Sequence, residues 1–112
     1  MHSTRYLFLM KPVNIIAILD SREDRDAFFA DIKACGVMEA SRKEDGCIRY
    51  SYYYPAEAEN QIFLWEQWES REAQKVHTQQ PHFKALGELK EKYHMETEIQ
   101  IEDQVVDQAA EK

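Results

Sequence analysis

The chain has 112 residues, 44% of them hydrophobic and 31% charged, which is enough apolar material for one packed core and too short for two. Lys and Arg total 14 against 21 Asp and Glu, a formal charge of −7, and such a surface repels phosphate backbones and anionic lipid heads, so neither nucleic acid nor a membrane is expected as a partner. Cys35 and Cys47 make neither a disulfide framework nor a paired thiolate metal site, which points to a reducing compartment.

Residues 1–12 show neither helical nor strand period and read as an N-terminal extension. Their apolar stretch at 6–10 is shorter than the roughly 7–15 residues of a secretory core and far below the ~20 needed to span a bilayer, so a cytoplasmic protein is expected. The folded domain is assigned to 13–102. It opens with VNIIAIL at 13–19, a β-branched run of strand length that ends at Asp20 and Ser21, either of which could cap a helix. From Arg22 the period becomes helical, with Phe28, Ile32 and Cys35 on one side. Gly36 falls inside or at the end of this helix, and the polar stretch SRKEDG at 41–46 returns the chain toward a sheet.

Residues 47–54 alternate, which predicts Ile48, Tyr50, Tyr52 and Tyr54 on one face and Cys47, Arg49, Ser51 and Tyr53 on the other. After the acidic loop 55–60, residues 61–69 read as a third strand, with Ile62, Leu64, Glu66 and Trp68 opposed to Phe63, Trp65 and Gln67. Ser70 is a reasonable cap for a helix carrying Ala73, Val76 and His77 on one side, and Pro81 splits it from a second run with Phe83, Leu86, Leu89 and Tyr93 inward. Residues 94–102 alternate as a strand with one wet face, an edge, and 103–112 form a polar tail.

The order β-α-β-β-α-β is that of the α+β ferredoxin-like fold, an antiparallel sheet with helices on one face. Strands one and three are apolar on both faces, more than one helical layer can bury, so a homodimer packed sheet to sheet is expected, its two sheets closing into a dimeric α/β barrel.

The stretch 64–86 is richest in chemistry. Glu66 lies between Leu64 and Trp68 on an apolar face, where an ionised carboxylate is costly unless paired. His77 shares its helix side with Ala73, and His82 follows Pro81, so a carboxylate, two imidazoles, an indole and a phenyl ring could converge between sheet and helices. Each has an ordinary reading too. Glu66 could be a structural ion pair with Arg49, His77 a satisfied core group, His82 a helix cap, and the rings of Trp68, Phe83, Tyr50, Tyr52 and Tyr54 plain core or interface. The two histidines have no third ligand at a suggestive spacing, which disfavours zinc. There is no phosphate-binding glycine loop and no nucleophile elbow.

The run EQWES at 66–70, then His77, then PHFKA at 81–85, and upstream the segment EDGCIRY at 44–50, resemble the antibiotic biosynthesis monooxygenase family, and most closely its small quinol monooxygenases. The resemblance covers roughly residues 13–102. It implies a dimeric ferredoxin-like fold and oxidation of a quinol or phenol by molecular oxygen with no flavin, haem or metal cofactor. The expected roles are His77 or Glu66 as base, Trp68, Phe83 and Tyr50 as walls for a flat ring, and His82 as a hydrogen-bond donor to a quinol oxygen. Haem-degrading relatives are disfavoured, because their ligating His and their Asn fall near Gly87 and Ile16. An isomerase of a small phosphorylated dione is an alternative, with Arg49, Arg71, Lys75 and Lys84 as candidate phosphate partners. A non-catalytic dimeric ligand-binding protein is another, since this fold hosts many functions.

Overall fold

A computed structural model describes residues 10–101; the expectations for 1–9 and for the tail at 103–112 lie outside the described residues. The elements are β1 (Val13–Ile18), α1 (Arg22–Cys35), α2 (Val37–Arg42), β2 (Cys47–Tyr53), β3 (Gln61–Trp68), α3 (Arg71–His77), α4 (Pro81–Lys92) and β4 (Glu96–Ile101). The sheet order is β2-β3-β1-β4 with every neighbouring pair antiparallel, which is the expected α+β ferredoxin-like arrangement with β2 and β4 at its edges.

Local chemistry sets the boundaries. Ser21 Oγ accepts from the Asp24 amide at 3.1 Å and starts α1, whose first turn carries Glu23 and Asp24 where the helix dipole favours anions. Gly36, at φ 78°, stops α1 in the left-handed region and begins the short α2. Ser70 Oγ accepts from the Ala73 amide at 3.1 Å and starts α3. Pro81, which lacks an amide proton and has a fixed φ, opens α4 as expected.

The helices cover one sheet face. Ala17, Leu19 and Ile62 from the sheet side pack with Phe28, Ile32, Val37 and Leu86 from the helices, each fully buried aliphatic or aromatic side chain contributing about 1.5–3 kcal/mol. A second cluster of Tyr50, Leu64 and Trp68 adjoins Met10, Ile15, Met38 and Ala73. The last part of the N-terminal extension is therefore docked, and the Met10 carbonyl also accepts from Gln67 Nε2 at 2.9 Å.

Three details differ from the expected pattern. The β2–β3 register shifts between Cys47 and Arg49, so Cys47 lies with the Tyr50 cluster while Ile48 is 46% exposed; one extra residue in a strand moves everything before it to the other face. Cys35 is exposed rather than inward, and Val76 points outward from α3. On the opposite face of the sheet Ile16, Ile18, Phe63 and Trp65 are half-buried. There the Arg49 guanidinium lies 4.2 Å from the Trp65 ring centre, and Trp65 Nε1 is buried with no hydrogen-bond partner among the described residues.

Candidate active site

The sheet supplies Glu66 and Trp68 from successive inward positions of β3, and Tyr50 stands directly across from Glu66 on β2. Trp68 Nε1 donates to Glu66 Oε1 at 2.7 Å, so the carboxyl group that is 5% exposed has a neutral donor and not the Arg49 partner considered above. Arg49 belongs to the other face and binds the Tyr53 hydroxyl at 2.7 Å. Burial pushes the Glu66 carboxyl above its ordinary range, and the Trp68 hydrogen bond, His77 and Lys90 pull it back only in part.

His77 ends α3 and is 2% exposed. Its ring lies over the Trp68 indole, centre to centre 4.6 Å at an interplanar angle of 35°. The edges of Phe83 and Tyr50 close two further sides, with ring centres at 5.3 and 5.7 Å. Nδ1 of His77 is 2.6 Å from Glu44 Oε2, and Nε2 of His82, in the first turn of α4, is 2.7 Å from the same oxygen. A carboxylate can only accept, so both imidazoles donate to it, and a neutral His77 then keeps its lone pair on Nε2.

The six residues singled out by sequence thus converge, and Glu44 joins them from the loop before β2. It lies in a polar stretch that reads as a solvated turn, yet its side chain is buried to 11% exposure. The loop is held by the Glu69 amide donating to the Gly46 carbonyl at 2.7 Å, and Gly46 sits at φ 85°. The available signal was the glutamate that begins the EDGCIRY segment. Glu44 also supplies the third donor that the histidine spacing lacked: Glu44, His77 and His82 place one ligand atom each within 4.8 Å of one another, close enough to hold a divalent cation.

Two cavities meet here. The inner one is small, about 40 Å³, and is walled mainly by apolar groups that include Ile62, Leu64, Tyr52 and Leu86. The outer one, about 420 Å³, is lined by Met10, Lys11, Arg71 and Ile99 among others. Ile15, Glu66, His77, Phe83 and Lys90 line both. Of the cations named for a phosphate group only Arg71 lines this space; Lys75 and Lys84 are exposed on the helices, and Lys11 and Lys90 take their place.

Residues 12–89 match the sequence model of the antibiotic biosynthesis monooxygenase family. The chain belongs to this family. Over 44 residues it is 43% identical to the uncharacterized protein YjcS of Bacillus subtilis, a stretch covering 39% of this chain and 42% of YjcS. A conserved protein of unknown function from Bacteroides thetaiotaomicron, described as a possible oxidoreductase, superposes with a TM-score of 0.72 at 20% identity, over 82% of this chain and 94% of that one. A provisionally named antibiotic biosynthesis monooxygenase of Deinococcus radiodurans gives a TM-score of 0.68 at 17% identity, over 80% and 87% of the two chains. These structural likenesses show a shared fold. No helix among the described residues is long and apolar enough to cross a membrane.

Proposed function

We propose that this member of the family is a cofactor-independent monooxygenase that oxidises a quinol or phenol with molecular oxygen. The observation that carries the reading is His77, held at Nδ1 by Glu44 at 2.6 Å and lining an apolar cavity walled by aromatic rings. Triplet oxygen reacts slowly with closed-shell phenols, whereas a phenolate gives up an electron readily. The protein's part is then to take a proton, hold a flat ring and limit water. His77 Nε2 is the proposed base, taking the hydroxyl proton while Glu44 stabilises the imidazolium that forms. Phe83 and Tyr50 flank the ring, Trp68 packs behind His77 without lining the cavity, and His82 fixes Glu44. The phenolate passes one electron to oxygen and the two radicals combine at a ring carbon. One oxygen atom stays on the ring as a carbonyl and the other leaves as water, so a hydroquinone becomes a hydroxyquinone and supplies all the electrons itself.

Glu66 is proposed to tune the site and not to be the base, because its carboxyl group is buried, one of its oxygens accepts from Trp68, and burial favours its neutral form. The test is oxygen uptake by chelator-treated protein with a panel of hydroquinones, corrected for autoxidation with heat-denatured protein. Uptake above that control is expected. Uptake lost on chelation and restored by a divalent cation would assign the chemistry to a metal at Glu44, His77 and His82. Turnover of a phosphorylated dione without oxygen would favour the isomerase, and no turnover of either kind the binding protein.

We also propose that two chains pack sheet to sheet, on the half-buried Ile16, Ile18, Phe63 and Trp65. Sedimentation is expected to give the mass of two chains, and Trp65→Glu to give that of one; a parent that sediments as one chain would remove the proposal.

A further inference from the structure

The outer cavity has a charge pattern opposite to that of the chain. Across the protein acidic residues outnumber basic ones by 21 to 14, yet this cavity is lined by Lys11, Arg71 and Lys90, with Glu66 the one carboxyl group among its described lining residues; Arg71 has an interaction of its own. Lys90 is half-buried at the junction with the inner cavity and forms no ion pair among the described residues. An ammonium drawn out of water without a counter-ion is costly, and protein interiors normally pair such groups. Burial holds the Lys90 pKa below its ordinary value, with Glu66 opposing. The inner cavity, by contrast, is lined mainly by apolar side chains, with Glu66, His77 and Lys90 at its junction with the outer one. A ligand seated in the outer cavity, with at most a small apolar end in the inner one, would therefore carry its anionic end beside the basic residues and its ring beside the imidazole.

Resting on the reading of His77 as the base, we propose that the outer cavity is a subsite for an anionic substituent of the substrate, held by Lys90 with Lys11. The substrate class narrows accordingly to a quinol or phenol that carries a carboxylate or a phosphate. Such a substituent would give Lys90 a direct ion-pair partner and would fix which ring hydroxyl reaches His77, since the ring could then enter in one direction only.

The experiment is anaerobic calorimetric titration of the full chain with para-hydroxybenzoate, its neutral amide para-hydroxybenzamide, and para-hydroxyphenyl phosphate. At least one anion is expected to bind about tenfold or more tightly than the amide, the scale of one charge-assisted contact in a partly desolvated site. Which anion binds more tightly separates carboxylate from phosphate. Lys90→Met is expected to bring anion and amide to within about twofold of each other, and Lys11→Met, at an exposed position, to reduce the difference two- to threefold, so the inference does not hang on one variant folding. Equal binding of anions and amide by the parent, a preference that survives both substitutions, or no binding of any probe would overturn the anion subsite. Because no oxygen is present, its failure is separate from that of the oxygenase: uptake with plain hydroquinone and no anion preference removes only the subsite, and anion preference without uptake removes only the reaction.

Discussion

His77→Ala is expected to reduce hydroquinone-dependent oxygen uptake by about 10²–10⁴-fold, the usual contribution of a positioned general base, with the loss falling on kcat more than on KM. The substitution also leaves a hole beside Trp68, Phe83 and Tyr50, so thermal unfolding must be followed in parallel. Added imidazole is expected to restore part of the rate, because the vacated space can admit it; a merely structural role for His77 would show no such rescue. Uptake at the parent rate would reject His77 as base. The companion variant Glu66→Gln keeps an oxygen that can accept from Trp68 Nε1 and is expected to retain most of the turnover. Its stability should also show a sign. The folded carboxyl is raised above its unfolded value by burial, so its contribution is fully present below the ordinary carboxylate pKa and is lost as pH rises through the folded value. Glu66→Gln, always neutral, should therefore match the parent under acidic conditions and gain on it toward neutrality.

Gly46→Ala is expected to destabilise the protein by about 2–4 kcal/mol, adding the cost of a left-handed backbone for a residue with a Cβ to that of overpacking. Gly46 stands at φ 85°, and a methyl group built on it would lie 2.7 Å from the Ala73 Cβ and 3.7 Å from Glu69. Ala73 belongs to α3, which ends at His77. The helix would have to move off the loop, drawing His77 away from Glu44, so activity should fall by more than the unfolded fraction accounts for. Gly36 makes the contrasting control. It too has positive φ, 78°, but no atom lies within 4 Å of the added methyl, so Gly36→Ala should show the backbone cost alone. Equal melting temperatures and activities for the two variants would contradict this account.

The elements whose signals are local were legible in the sequence. The β-branched run of β1, the caps Ser21 and Ser70, and the break at Pro81 each depend on a few neighbouring residues, and each stands where the pattern places it. The bulge of β2 was not legible, because alternation along one strand says nothing about how many residues face each position of its partner; β3 decides that Cys47 turns inward. Glu66, Trp68, His77, His82 and Phe83 fall within one stretch of chain, so helical and strand periods already bring them to the same side. Glu44 lies 33 residues before His77 and 38 before His82, in a segment whose composition signals solvent. Lys90 was hidden for a similar reason, since a lysine near a helix end ordinarily marks the wet face and the favourable end of the dipole.

The same separations bear on how the site assembles as the chain folds. Trp68 and His77, joined by a strand end, a capped turn and two turns of helix, can come together across a short loop with little entropic cost. The carboxylate reaches them only after β2 has paired with β3, which brings Gly46 to the Glu69 amide. Trp68 and Phe83 can therefore meet the imidazole through local contacts, whereas Tyr50 and the carboxylate that fixes which ring nitrogen carries the proton depend on the pairing of β2 with β3.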